Sequence, residues 1–549
     1  MTIGKPMKRA VMCLLFFACL SGAIGITVAA SPSGAAAQTG GEREAIRSGG
    51  QLERSEKWRE AIELYEKSLK SWPESQQLKY GLRRSKIHFG IERRYSDGSF
   101  ETSLLRKSRN EALTLFDEVL HQVKSNYIKP ISSTSFVAHG TESLYLALAN
   151  KKFLKLHLRQ TDPRKIERMR GILRDQFWNK LISQHTAAYQ TVDQVCNYAS
   201  SVLGLPGSAV VMEYIFGGCN ALDDYSNYLT PDRWDDLYGN IEGEFVGLGI
   251  EMKSESGKGL LLVNVLPQSP AAEGGMLRGE HIVSINGSDC RHMTTDEAAR
   301  MLRGPVGSRV RLELRSPTKS QEREGIFVRR SVLVKSIPIV RMVDQAQGIG
   351  YLKMTGFQKT TPAELDAALS RLRRQGMRAL IWDLRGNPGG LLQAAVEVVD
   401  RFIEEGVLVS TRGRMGDQNW NYSAHRPGTT NLPLVLLVDG DSASASEIVA
   451  GAVADLKRGL IVGRQTYGKW SVQSLVRIHG APGLRLTTAK FYSPRGRTLS
   501  KIGIRPDVIV QKSKSQVTFF RGPADDLNLD GDDDLQMGLK ILRKQISRR

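Results

Sequence analysis

The sequence predicts a multidomain α/β protein: a helical region comes first, a glycine-punctuated β segment second, and an alternating strand-helix core last. Three observations lead there. At 549 residues the chain exceeds what one hydrophobic core sustains and should hold about three or four domains. Up to Trp234 apolar residues recur mostly at helical spacing. From Ile349 onward short apolar runs alternate with amphipathic stretches, the pattern of a largely parallel sheet joined by crossover helices. With 41% hydrophobic and 24% charged residues the composition is that of a globular chain, which excludes a disordered one.

At the N-terminus Lys5, Lys8 and Arg9 precede an uncharged run from Ala10 to Ala30, after which small residues continue to Ala37. Residues 1–37 therefore read as a signal peptide cut after Ala30 or Ala37, or as an uncleaved anchor, since about 20 apolar residues also span a bilayer. Cys19 has no lipobox ahead of it. Either reading exports the chain to the periplasm or cell envelope. Two of the five cysteines lie in the leader, leaving Cys196, Cys219 and Cys290. That is no disulfide framework, though a single Cys196–Cys219 bridge stays open. The net charge of +20 invites a nucleic-acid reading. However, the basic residues are scattered along helices such as 164–174 and 371–378 with no nucleic-acid module, and attraction to anionic envelope surfaces explains them more simply.

Within 38–100, Leu52, Trp58, Ala61, Ile62, Tyr65, Leu69 and Pro73 have the spacing of a helical hairpin and resemble one tetratricopeptide repeat, an element suited to docking an adaptor or to capping the next domain. Residues 101–242 continue as helices, and 111–127 shows a clean apolar face of Leu113, Phe116, Val119, Leu120 and Val123. In 243–335, Gly247-Leu248-Gly249-Ile250 follows Phe245-Val246; the glycines let consecutive N–H groups converge on a peptide carboxylate. A strand over 260–266 and a helix over 295–302 would flank the groove.

In 336–511, strands are expected at 348–354, 379–384, 434–438 and 460–462, and helices at 362–375, 391–405 and 445–456. The stretch 434–473 carries the chemistry. Its apolar strand ends at Asp439-Gly440 and a Ser/Ala cluster opens a helix, so Ser444 and the Ala445 N–H sit at a helix N-terminus, where an oxyanion can be held. Lys469 follows Gly468 in apolar surroundings; a desolvated lysine loses its proton readily and can serve a serine as base. Read without chemistry, Ser444-Ala445-Ser446-Glu447 is a capping box. The turn Gly386-Asn387-Pro388-Gly389-Gly390 offers further N–H groups but needs no catalytic reason. The last segment, 512–549, reads as a polar linker and a helix over 535–546. Asp526, Asn528, Asp530, Gly531, Asp532 and Asp534 imitate an EF-hand start, but Met537 stands where a glutamate is needed, so a solvated acidic linker is expected and no metal or other cofactor is called for.

The stretches DGDSASASEIVAGAVAD, GRQTYGKWSVQ and LRLTTAKFYSPRGRTLSKIGIRPDVIV together resemble the C-terminal processing (tail-specific) peptidases, the serine/lysine peptidases of family S41 with an inserted PDZ domain. LDDYSNYLTPDRW and SPAAEGGMLRGEHIVSING extend the likeness over about 113–510. The resemblance implies a crotonase/ClpP-like core, Ser444 as nucleophile, Lys469 as general base and Gln473 as the residue orienting it. It further implies Glu447 and Asp455 as supporting acids, and an oxyanion hole of Gly389 or Gly390 with Ala445. By the same resemblance Gly247, Leu248, Gly249 and Ile250 bind a peptide terminus. Trp470 departs from the glycine usual after the lysine. The expected function is an exported endopeptidase acting on proteins with apolar C-termini. Two rivals compete with it: a Ser-His-Asp triad using His425 or His479, and a catalytically silent PDZ scaffold that retains the fold.

Overall fold

The computed structural model describes residues 40–316, 322–425, 429–511 and 531–548, apart from the side chains of His185 and Asp296; the leader and residues 526–530 lie outside them. The chain divides into two compact units, up to Lys86 and from Ile87 onward. In the first, helices Gly40–Arg54 and Trp58–Ser71 and the start of Gln76–Tyr95 pack through Ala45, Ala61, Tyr65 and Leu78. The Tyr65 hydroxyl donates to Glu53 at 2.6 Å, and Arg84 holds the same carboxylate.

The second unit opens with helices, continues through a small β domain and ends in an α/β core. Helices such as Arg109–Asn126, Ser133–Ala147 and Gly207–Cys219 bury the apolar face anticipated at 113–123 in one cluster. Cys196, Cys219 and Cys290 are free and buried, so the Cys196–Cys219 bridge is absent; burial pushes the Cys196 and Cys219 thiols up to about 12. A small β domain follows, its strands ordered Ile250–Glu255, Gly259–Val265, His281–Ile285, Arg309–Arg315 and Glu322–Val328, with the helix Thr295–Leu302. Ile250–Glu255 is an edge strand of that sheet.

The α/β core holds a six-stranded sheet. Ile339–Asp344 runs antiparallel to Ile349–Lys353, and Ala379–Asp383, Leu434–Val438, Leu460–Gly463 and Val508–Ile509 continue it in parallel. Side chains alternate across a strand. Leu434, Leu436 and Val438 accordingly face helices Thr361–Arg374, Leu392–Asp400 and Ala445–Asp455, whereas Val435 and Leu437 face the opposite side. There the C-terminal helix Asp533–Ile546 covers them with Leu535, Leu539 and Leu542. A strand buried on both faces reads as a continuous apolar run, which is why 434–438 was legible as a strand. The helix expected over 391–405 stops at Asp400, ahead of a turn that leads into Gly406.

The expectation of a solvated acidic linker is corrected at Asp532 and Asp534. They are 6% and 4% exposed and pair with Arg385 and Arg464. No spacing rule pairs charges so far apart in sequence.

A second sheet joins Ser471–Ile478, Ala481–Tyr492, Val407–Gly413 and Trp420–Ser423. Asn227–Tyr228, from the segment before the β domain, pairs with Arg485 and Leu484 and so brings that segment to the core. Because Leu542 is fully buried in the C-terminal helix, Leu542→Ala should cost about 2–5 kcal/mol of stability, measured as a lower urea midpoint or Tm.

Candidate active site

Ser444 sits between Leu434–Val438 and Ala445–Asp455 with φ +55° and ψ −113°, a conformation that non-glycine residues adopt at a cost of roughly 1–3 kcal/mol. The turn is held from behind. Ser442 Oγ donates to the Leu384 carbonyl at 2.8 Å, Ser446 Oγ to the Asn387 carbonyl at 2.9 Å, and the Ala443 N–H to that same carbonyl at 3.0 Å. Strain persists where the surroundings over-determine the backbone, and here two bonds tie it to the Gly386–Gly390 turn and a third to Leu384 just ahead of that turn.

Glu447, fully buried, joins this turn to the lysine loop. Its Oε2 accepts from the Ser444 N–H at 2.9 Å and the Lys469 N–H at 2.8 Å. Its Oε1 accepts from Thr466 Oγ1 at 2.7 Å, the Gly468 N–H at 2.7 Å and the Trp470 indole at 3.3 Å. Capping of the helix, the reading without chemistry, and alignment of Ser444 with Lys469 are thus performed by one carboxylate. Trp470 is 1% exposed and stacks on Phe491 with ring centroids 4.7 Å apart. Its indole fills space and donates to Glu447, so the departure from glycine is built into the packing.

Lys469 Nζ lies 4.7 Å from the centroid of the Tyr225 ring. Burial pulls this amine below its ordinary value and Arg485 adds to the fall, while Asp223 and Glu447 oppose it. Gln473 lies on the strand Ser471–Ile478, beyond a bulge, and its amide donates to Ser471 Oγ at 2.8 Å and Thr487 Oγ1 at 3.3 Å. The expected bond from Gln473 to Lys469 is therefore not formed in this arrangement. Asp455 stands at the far end of the serine helix, accepting from the Arg495 N–H at 3.0 Å and pairing with Arg497, which anchors the loop after 493.

The glycine turn separates into two roles. The Gly389 N–H donates to Asn387 Oδ1 at 2.9 Å and is occupied. Gly390 is exposed, and a side chain there would stand 2.2 Å from the Phe357 carbonyl, so only glycine lets the backbone pass. Its N–H and that of Ala445, the first residue of the serine helix and hence without an intrahelical acceptor, remain as donors. In the β domain, the Leu248 and Gly249 carbonyls accept from Ala271 at 2.9 Å and Leu266 at 2.8 Å. Because the peptide is trans, the Gly249 and Ile250 N–H groups point the opposite way. Gly247 is buried beside them, and Leu248, 2% exposed, belongs to the domain core rather than to a groove wall. His425 pairs with Asp400 at 3.3 Å and the His479 N–H donates to Glu118 at 3.0 Å. Neither histidine is bonded to Ser444.

Sequence reasoning passed over Asn387, Tyr225, Asp223 and Arg485. Asn387, Asp223 and Tyr225 lie in stretches that it singled out, but Asp223 and Tyr225 come to Lys469 through the pairing of Asn227–Tyr228 with a strand more than 250 residues away, which leaves no local signal; Arg485 lies on that strand, which pairs with Ser471–Ile478 just after the lysine. Among the described residues no cluster of metal-ligating side chains occurs, and no helix is long and apolar enough to cross a membrane.

The family description of peptidase family S41 matches residues 348–510, and that of a PDZ domain matches 262–316. A carboxy-terminal-processing protease of Bartonella bacilliformis is 36% identical over 298 residues, 53% of this chain and 67% of the relative. The carboxyl-terminal-processing protease of a Synechocystis species is 33% identical over 307 residues, 55% of this chain and 71% of the relative. Among solved structures, the photosystem II D1 C-terminal processing protease aligns with 25% identity and a TM-score of 0.39, covering 73% of this chain and 93% of that one. Fold and site thus define a PDZ-bearing α/β peptidase. The chain belongs to peptidase family S41 and is a C-terminal processing protease.

Two outcomes are expected here. Trp470→Ala should lose about 3–5 kcal/mol of stability, seen in thermal unfolding, because it opens a cavity and removes a donor from a buried carboxylate. Arg485→Gln should raise the Lys469 pKa and Asp223→Asn should lower it, as followed by NMR titration of the amine.

Proposed function

We propose that the chain is an exported endopeptidase that takes a protein C-terminus into its PDZ groove and cleaves upstream of it with Ser444 and Lys469. The observation that carries this reading is the shared carboxylate: Glu447 Oε2 accepts from the backbone N–H groups of both residues, which fastens the serine turn and the lysine loop to one acceptor. Lys469 Nζ, neutral once its proton is lost, takes the Ser444 Oγ proton as Oγ attacks the scissile carbonyl. The Ala445 and Gly390 N–H groups receive the developing oxyanion. The proton held on Lys469 passes to the departing amine; Lys469 Nζ then takes a proton from the water that attacks the acyl group and returns it to Ser444 Oγ as the ester bond breaks. Gln473 turns to the amine when Lys469 leaves the Tyr225 ring.

The open edge of Ile250–Glu255 supports addition of a peptide as an extra strand, its terminal carboxylate at the Gly249 and Ile250 N–H groups. Export rests on the charge and apolar pattern of residues 1–37. The helical hairpin near the N-terminus would serve an adaptor, and the basic surface would favour the anionic cell envelope.

The test is cleavage of an unfolded reporter with an apolar C-terminus. Wild type should cut, and Ser444→Ala and Lys469→Ala should lose cutting by three orders of magnitude or so, on the order of what a missing nucleophile or base costs. Because the amine must be unprotonated, the rate should rise with pH through the lowered Lys469 pKa, and Arg485→Gln should move that limb to higher pH. A wild type that binds the tail but never cuts would favour the scaffold.

A further inference from the structure

The acidic start of the C-terminal helix reaches the two loops that carry the chemistry. Arg385 ends the strand Ala379–Asp383 and leads directly into the glycine turn, while Arg464 follows Leu460–Gly463 and leads into Lys469. These two strands are not neighbours, for Leu434–Val438 runs between them, so no backbone ladder joins their ends. A side chain does. Asp534 Oδ2 accepts from Arg385 Nη1 at 2.9 Å and from Arg464 Nη2 at 2.7 Å, and Asp534 Oδ1 accepts from Arg464 Nη1 at 2.9 Å. Asp532 grips the same Arg385 with two bonds of 2.7 Å while capping the helix through the Leu535 N–H at 3.1 Å.

Behind them, Asp383 takes Arg385 at 2.7 Å and Lys353 at 3.2 Å. Three carboxylates thus meet three cations, with Asp383 fully buried and the Arg385 side chain 12% exposed. Burial alone would raise the Asp383 carboxyl, but Arg385 and Lys353 overcome that and hold it well below the usual range. In a buried balanced network, neutralising one member leaves its partners uncompensated, and they move to find water.

We infer that Asp534 is a positioning residue: by bridging Arg385 and Arg464, it sets the distance between the oxyanion turn and the Lys469 loop. This rests on the Ser444/Lys469 reading. Nothing in the family match requires it, since that match ends at residue 510. Neutralising Asp534 frees Arg464, whose side chain is already 26% exposed, to turn outward and let the lysine loop drift.

The test compares the full chain with Asp534→Asn and with Leu542→Ala, which loosens the same helix through its apolar face. Two readouts are taken at a temperature where all remain folded: kcat and KM on the tail reporter, and the rate at which a fluorophosphonate phosphonylates Ser444 with loss of fluoride. Asp534→Asn should lower kcat and phosphonylation by about 10- to 100-fold with KM changed less than about twofold, the scale of a sub-ångström to one-ångström misplacement. Leu542→Ala, with an equal or larger fall in Tm, should keep both rates within about threefold of wild type. Unchanged rates in Asp534→Asn would overturn the inference, as would an equal loss in Leu542→Ala. If the wild type itself is not labelled at Ser444 while it cuts the reporter, the serine reading fails and the inference with it.

Discussion

A single buried carboxylate organises this protein. Glu447 has no exposure to water, and an ionised group so placed is tolerable only when hydrogen bonds replace its hydration. Five donors do so, and they come from the serine turn, the lysine loop and the indole behind it. The energetic demand of the buried charge therefore becomes a geometric demand on the backbone around it. The strained φ of Ser444, the packing of Trp470 and the path of residues 466–470 all follow from where that carboxylate sits.

The same division between apolar scaffold and polar fastening recurs through the core. Strands buried on both faces supply a platform that needs no polar partner beyond its own ladder. The loops at the carboxyl ends of those strands have no ladder and are fastened by side chains. Asn387 holds Met354 and Gly389, Ser442 reaches Leu384, and Asp439 accepts from Gly386. Each of these fastenings pairs a side chain with backbone, and all but the one from Gly386 to Asp439 are buried.

Much of this was legible in the chain. The run Leu434–Val438, the helix beginning at Ala445 and the C-terminal helix are local patterns, and local patterns announce themselves through periodicity and capping. The likeness to S41 peptidases picks out Ser444 and Glu447 on a strand-turn-helix and Lys469 in the loop after the next strand, and Glu447 joins the backbones of the other two. What escaped depended on distance along the chain. The acidic cluster at 532–534 reads as solvated because most such clusters are, and its burial arises only when a helix near the C-terminus lies across strands over a hundred residues earlier. Gln473, assigned by registration to orient Lys469, has its amide on Ser471 and Thr487, next to a bulge between Val472 and Gln473 that residue spacing does not encode.

The position of the C-terminal helix bears on when the enzyme comes into being. One face of the central sheet, lined by Val435, Leu437 and Val462, is covered by residues 535–546. A chain made from its N-terminus exposes that apolar face until residues 535–546 have emerged. Every domain ahead of them can fold while the peptidase core still lacks its cover. Synthesis order thus separates folding of the earlier domains from closure of the core, and a copy cut short ahead of residue 535 carries an open sheet in its place.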